Sequence, residues 1–157
     1  MSQTAMSRTA TSQHAFRDPG AEERVRASFA RQGLMATLGA DLILIAPGRV
    51  EIALPYGPEL TQQNGYFHAG GTAAIADSAG GYAGFTLFPA GTDVLTVEFK
   101  LNLVAPAEGD RLVAVGEVIR AGRTLTVCDL KVYGEHGDRR TLCAAGMQTL
   151  ICVPERP

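Results

Sequence analysis

Read from the N-terminus, the chain shows one helical spacing and then long runs of strand spacing. In AEERVRASFARQG (21–33), Val25 and Phe29 lie four apart on one face and acids sit near the start. Gly33 is placed to end that helix in a left-handed cap. MATLGADLILIAPGRVEIALPY (35–56) reads as two extended runs broken at Pro47-Gly48; in the second, Val50, Ile52 and Leu54 alternate with Glu51 and Ala53. GPELTQQNGYF (57–67) reads as a loop. From His68 to Leu87 the period of two is lost, and mostly Ala and Gly remain. Length and small side chains there predict a buried helix, despite the helix cost of each Gly. Four extended segments follow the turn at Pro89-Ala90-Gly91. In 93–104, Leu95, Val97, Phe99, Leu101 and Leu103 are expected on one face, and Thr96, Glu98, Lys100 and Asn102 on the other. Segments 111–120 and 123–133 flank a tight Ala121-Gly122 turn, and 140–153 closes the set.

The order α-β-β-α-β-β-β-β lacks the βαβ alternation of a doubly wound fold. It predicts an α+β domain in which one antiparallel sheet wraps a single apolar helix. Residues 1–20 are expected to form a disordered tail, with only a faint likeness to an organelle transit peptide, and 21–157 a single domain. Composition adds three constraints. With 14 Lys and Arg against 16 Asp and Glu and no basic cluster, a nucleic-acid partner is not expected. Only 19% of residues are charged, below the roughly 25% of typical globular chains, which suggests that another subunit covers part of the surface. Three cysteines, Cys128, Cys143 and Cys152, sit in apolar segments, an odd number that suits free thiols in a reducing cytoplasm. No apolar run reaches the roughly 18–20 residues of a membrane span, so no membrane partner is expected.

Several familiar chemistries have no residues to carry them. There is no CxxC, no His/Cys cluster at metal spacing, no G-x-S-x-G elbow and no phosphate-binding glycine loop. Asp77 stands out because a carboxylate within an apolar helix is costly unless it is solvated, paired or functional. An ion pair to a strand, or a hydrogen bond between subunits, would also account for it. The helix start is the second candidate. Its first N–H groups have no helical partner, and the small residues Ala69-Gly70-Gly71 would let a ligand oxygen approach them; tight packing would use the glycines equally well. Ala69 and Asp77 are eight positions apart, or about 12 Å along a helix at roughly 1.5 Å per residue. One helix cannot bring both to one carbonyl, whereas two antiparallel copies could, with Gly80, Gly81 and Gly84 permitting close approach.

QQNGYFHAGGTAAIADSAGG, TVEFKLNLVAPAEGD and RAGRTLTV together resemble the PaaI-like branch of the hotdog-fold acyl-CoA thioesterases, over residues 25–153. The most specific element is His-x-Gly with Asp nine positions on. The resemblance implies a long central helix wrapped by an antiparallel sheet with a short N-terminal helix, homodimers or homotetramers, and hydrolysis of an aryl- or medium/long-chain acyl-CoA. Coenzyme A would enter only as part of the substrate, with no separate cofactor or metal. Asp77 matches the family's general base or nucleophile, the Ala69 N–H the donor to the thioester carbonyl, and His68 the residue shaping that turn. Thr96 stands where relatives place a hydroxyl near the carboxylate. Gln62 stands where relatives often carry a water-positioning Asn, and the neighbouring Gln63 or Asn64 could substitute for it. Gly70 is expected to border the bound carbonyl. Arg120, Arg123 and Thr124 could meet the phosphates of CoA, and Tyr66, Phe67, Tyr82 and Phe85 could line the acyl pocket or simply pack the core. The competing readings are a non-catalytic acyl-CoA-binding module and, less suited to the His68/Asp77 placement, a dehydratase.

Overall fold

Small side chains decide where the long helix lies. In the computed structural model of the chain, which describes residues 14–156, the helix α3 (Ala69–Phe85) rests on one face of a six-stranded antiparallel sheet. Its strands are β1 (Asp41–Ala46), β2 (Arg49–Pro55), β3 (Thr92–Leu103), β4 (Arg111–Ala121), β5 (Leu125–His136) and β6 (Arg139–Pro154), in the order β1-β2-β4-β5-β6-β3. Gly116 on β4 lies directly beneath the helix backbone. A Cβ there would sit 2.4 Å from the Ala79 carbonyl and the Gly80 nitrogen, so only glycine lets helix and strand come this close. Ile75, Ala79 and Ala83 of α3 are then buried against Ile52, Leu112 and Leu130 of the sheet. This is the hotdog arrangement, with β3 left at one edge of the sheet.

A short helical layer covers the other side of α3. Helix α1 (Ala21–Ala30) is anchored by Arg24, which donates to the Phe88 and Pro89 carbonyls at 2.9 and 3.2 Å and lies 4.7 Å over the Phe85 ring. Gly33 does not end α1, as expected, but opens a further short helix α2 (Gly33–Leu38). Residues 35–38 are therefore helical rather than extended. Met35 is buried and Leu38, three positions on, packs against the core, a spacing that suits one helical turn; Gly39 at φ 69° supplies the left-handed stop. Of the expected tail, residues 1–13 lie outside the described residues. Within the remainder, Asp18 pairs with Arg24 at 2.8 Å and the Gly20 N–H donates to Asp18.

The largest departure from the predicted strands is in β3. Its pairing with β6 slips between Thr96 and Glu98, so that Thr96 faces Leu150 and Glu98 faces Thr149. Val97 is the extra residue of a β-bulge. Thr96 and Glu98 were expected on one face, but the bulge turns them apart: Thr96 reaches α3, while Glu98 accepts from the Thr149 hydroxyl at 3.4 Å. The β4–β5 turn also takes in Gly122 to Thr124, so β5 starts at Leu125 rather than at 123.

Candidate active site

Asp77 is half-buried on α3 and is held by two elements of the sheet. The Thr96 hydroxyl donates to Asp77 Oδ1 at 2.8 Å, and the Gln148 amide donates to the same oxygen at 2.7 Å. Gln148 Nε2 also lies 3.0 Å from Thr96 Oγ1 and 3.1 Å from the Asp77 carbonyl. No described residue donates to Asp77 Oδ2, which leaves that oxygen free for a ligand or a proton. Of the alternatives raised by the sequence, the ion pair is not formed: no Lys or Arg lies within salt-bridge distance of Asp77 among the described residues.

Asp77 borders a cavity of about 330 Å³ that residues of the N-terminal helices also line. Ser28, Arg31 and Gln32 contribute from α1 and the link to α2, Gly81 and Tyr82 from α3, and Thr96 from β3. Two hydrogen bonds lace this lining: Ser78 Oγ donates to Gln32 Oε1 at 3.0 Å, and the Ser28 and Tyr82 hydroxyls are 3.2 Å apart. Burial raises the Tyr82 phenol above its usual value, opposed by the Ser28 hydrogen bond and by the positive charge of Arg31. Tyr82 therefore offers a neutral hydroxyl to the cavity.

The start of α3 forms a separate site. His68 caps the helix by accepting from the Gly70 N–H through Nδ1 at 2.8 Å, and its own carbonyl accepts from Gly71 and Thr72. That leaves Ala69 as the first-turn residue whose N–H no described residue accepts, exposed at the positive end of the helix. Gly70 is thus committed to the cap, and its N–H is not available to a bound carbonyl. Gln62 Oε1 accepts from the Asn64 N–H and folds back over its own loop. Gln62, Tyr66, Phe67 and Ala69 border a second cavity of about 260 Å³ with Leu103 and Pro106. It shares no residue with the Asp77 cavity. Within one chain, the helix start and the helix middle are therefore two half-sites, in keeping with their separation along the helix.

Other expected residues lie elsewhere. Arg120, Arg123 and Thr124 are exposed at the β4–β5 turn and border neither cavity, while Phe85 is buried between Phe88, Tyr82 and Arg24. Sequence reasoning missed Gln148, Gln32, Ser28 and Arg31. The signal for Gln148 was its parity: it alternates with Leu150 and Cys152, so it belongs to the inward face of an apolar strand. Among the described residues, no group of three or more His, Cys, Asp or Glu is placed to hold a metal ion.

Comparison with known proteins bears on this geometry directly. The family described as "Thioesterase superfamily" matches residues 64–141, a span that contains Ala69, Asp77 and Thr96 but neither Gln62 nor Gln148. A thioesterase family protein from Silicibacter pomeroyi, solved by crystallography, is 46% identical and covers 87% of this chain and 100% of its own, with a TM-score of 0.84. The chain belongs to the thioesterase superfamily. Membership makes it a thioester hydrolase, the family expected from the His68-to-Asp77 element. The proofreading thioesterase EntH of Klebsiella pneumoniae is a more distant relative of this thioesterase, 26% identical over 74% of this chain and 85% of EntH. The PaaI protein of E. coli, from the phenylacetic acid degradation operon, shares the fold at 18% identity, with a TM-score of 0.75 over 85% of this chain and 93% of PaaI.

Proposed function

We propose that this thioesterase hydrolyses an acyl-CoA at composite sites, each made from the Asp77 half-site of one subunit and the Ala69 half-site of another. The observation that carries the reading is the state of Asp77, which lines the cavity: one carboxylate oxygen is tied to Thr96 and Gln148, and the other accepts from no described residue. As general base, Asp77 Oδ2 takes a proton from water while the water oxygen bonds to the thioester carbon. Negative charge then develops on the carbonyl oxygen, where the Ala69 N–H donates to it. Collapse breaks the C–S bond, and the proton held by Asp77 passes to the departing CoA sulfur. As nucleophile, Asp77 would instead bond to the thioester carbon and expel the CoA thiolate, which takes a proton from solvent. The mixed anhydride left behind is cleaved by water at the Asp77 carboxyl carbon, returning the aspartate and the free acid. The two routes are separated by a single turnover in ¹⁸O-water: direct attack puts one ¹⁸O into the released acid, whereas the anhydride cleaved at the Asp77 carboxyl carbon releases unlabelled acid and leaves the ¹⁸O in Asp77.

The acyl group of this reading is aryl or medium- to long-chain aliphatic, and the cavity beside Asp77 meets it with the hydroxyls of Ser28, Ser78 and Tyr82 and the charged Arg31 and Asp93. Edge strand β3 supports the pairing of subunits: Leu95, Val97, Phe99 and Leu103 are all exposed, although the strand is twelve residues long. A dimer, or a dimer of dimers, built across this edge would cover them. Free thiols at Cys128, Cys143 and Cys152 suit a cytoplasmic location, and none of the described helices is long and apolar enough to cross a membrane. CoA serves as part of the substrate, without a further cofactor. The test is thiol release from a panel running from benzoyl- and phenylacetyl-CoA to octanoyl- and palmitoyl-CoA. Asp77→Asn should keep the fold and lose most turnover. Tight binding of acyl-CoA by the wild-type protein without thiol release would instead establish a binding module.

A further inference from the structure

Gln148 sits on the inward face of β6 with 1% of its surface exposed, next in parity to the fully buried Leu150. A buried amide is costly unless both of its ends are paired, and a well-packed apolar side chain would serve a core better. Here only one end is paired. Nε2 is shared among Asp77 Oδ1, the Asp77 carbonyl and Thr96 Oγ1, while Oε1 is buried without a partner. The reverse orientation would set two oxygens 2.7 Å apart, so the amide nitrogen must face the carboxylate. The helix is shaped to admit this group. At Gly80, one turn after Asp77, a Cβ would fall 1.9 Å from Gln148 Oε1 and 2.6 Å from Leu130. Alanine would otherwise be the better residue in mid-helix.

We propose that Gln148 is a positioning residue of the hydrolytic reaction: with Thr96, it holds Asp77 Oδ1 so that Oδ2 alone faces the thioester and the attacking water. This rests on the assignment of Asp77 as the reacting carboxylate. Without the amide, the carboxylate keeps only the Thr96 donor and can rotate about its terminal torsion, exchanging its two oxygens. Reacting groups misplaced by about 1 Å lose roughly 10²-fold in rate. Gln148 does not border the cavity, so substrate binding should be spared.

Gln148→Met, close in size and without the amide, tests this in the full-length protein. The expected result is kcat lower by about 10²-fold, with KM and the affinity for a non-hydrolysable acyl-CoA thioether within about threefold of wild type. Combined with Thr96→Val, the loss should depart from the product of the single losses, because both donors act on one oxygen. A Gln148→Met protein that keeps wild-type kcat overturns the proposal, as does one that changes only KM. If that variant does not fold, Gln148→Leu, which also lacks any donor to Asp77, is held to the same criteria. Asp77→Asn is measured alongside. An inactive Asp77→Asn with a fully active Gln148 variant sinks the positioning role alone; an active Asp77→Asn sinks the reading of the site itself.

Discussion

Gly116→Ala should be strongly destabilising although it adds a single methyl group. The new Cβ would stand 2.4 Å from the Ala79 carbonyl carbon and oxygen and from the Gly80 nitrogen. Non-bonded carbon contacts are comfortable at about 3.5–4.0 Å, so roughly 1 Å must open between β4 and α3. The obstructing atoms are backbone inside a helix, so no side chain can rotate away. Overpacking of this kind costs about 1–3 kcal/mol, and the rigidity of the obstacle places this site near about 3. Removing a strand glycine returns up to about 1 kcal/mol by restricting the unfolded chain. The net loss of about 2 kcal/mol corresponds to a Tm lower by about 4–8 °C for a chain of this size. Thermal melts by circular dichroism, at one fixed protein concentration, read it. Activity should fall as well, because Asp77 moves with the helix while Thr96 stays with the sheet. An unchanged or higher Tm would refute the close approach of helix and strand.

Two further outcomes test the assembly and the core. Mixing Asp77→Asn with Ala69→Pro, each inactive alone, and allowing subunits to exchange should restore about one quarter of wild-type activity, since half the dimers are mixed and one of their two sites is intact; no recovery would mean that both half-sites act within one chain. Burial pushes the Cys128 thiol up to about 12 from 9.0, so the folded protein keeps a proton that the unfolded chain loses. Its contribution to stability is complete below pH 9 and is lost as the pH rises from 9 through about 12. Urea midpoints should fall across that range in the wild type and fall less in Cys128→Ala; equal slopes would contradict it.

Much of this site could be read from the residues, for a physical reason. Asp77 is conspicuous because an ionisable group among Ala and Gly has no cheap explanation, and a helix start free of bulky side chains is visible as Ala69-Gly70-Gly71. The features that escaped each hide inside a regular pattern. Helix α2 has six residues, too few for a period to show beside the strand that follows. At the bulge, the extra residue is the apolar Val97, so simple alternation reads straight through it and puts Thr96 with Glu98. Gln148 is flanked by Met147 and Thr149, which makes it look like an ordinary outward polar position until the parity of Leu150 is counted from it. The contribution of Ser28, Arg31 and Gln32 depends on where α1 docks, and that is set by the hold of Arg24 on the chain after α3.

The bulge also bears on how this strand can change length. Leu150 and Thr149 are consecutive on β6, and their partners Thr96 and Glu98 would be consecutive too if Val97 were missing. A chain shorter by that one residue would keep Thr96 turned toward Asp77 and Phe99 opposite Gln148, with a straight ladder between them. An insertion or deletion that the bulge could not absorb would invert one half of the strand against the other. Val97 is thus the point where homologous chains can differ by a residue without disturbing the carboxylate's hydroxyl partner, and an alignment gap there would carry no functional meaning.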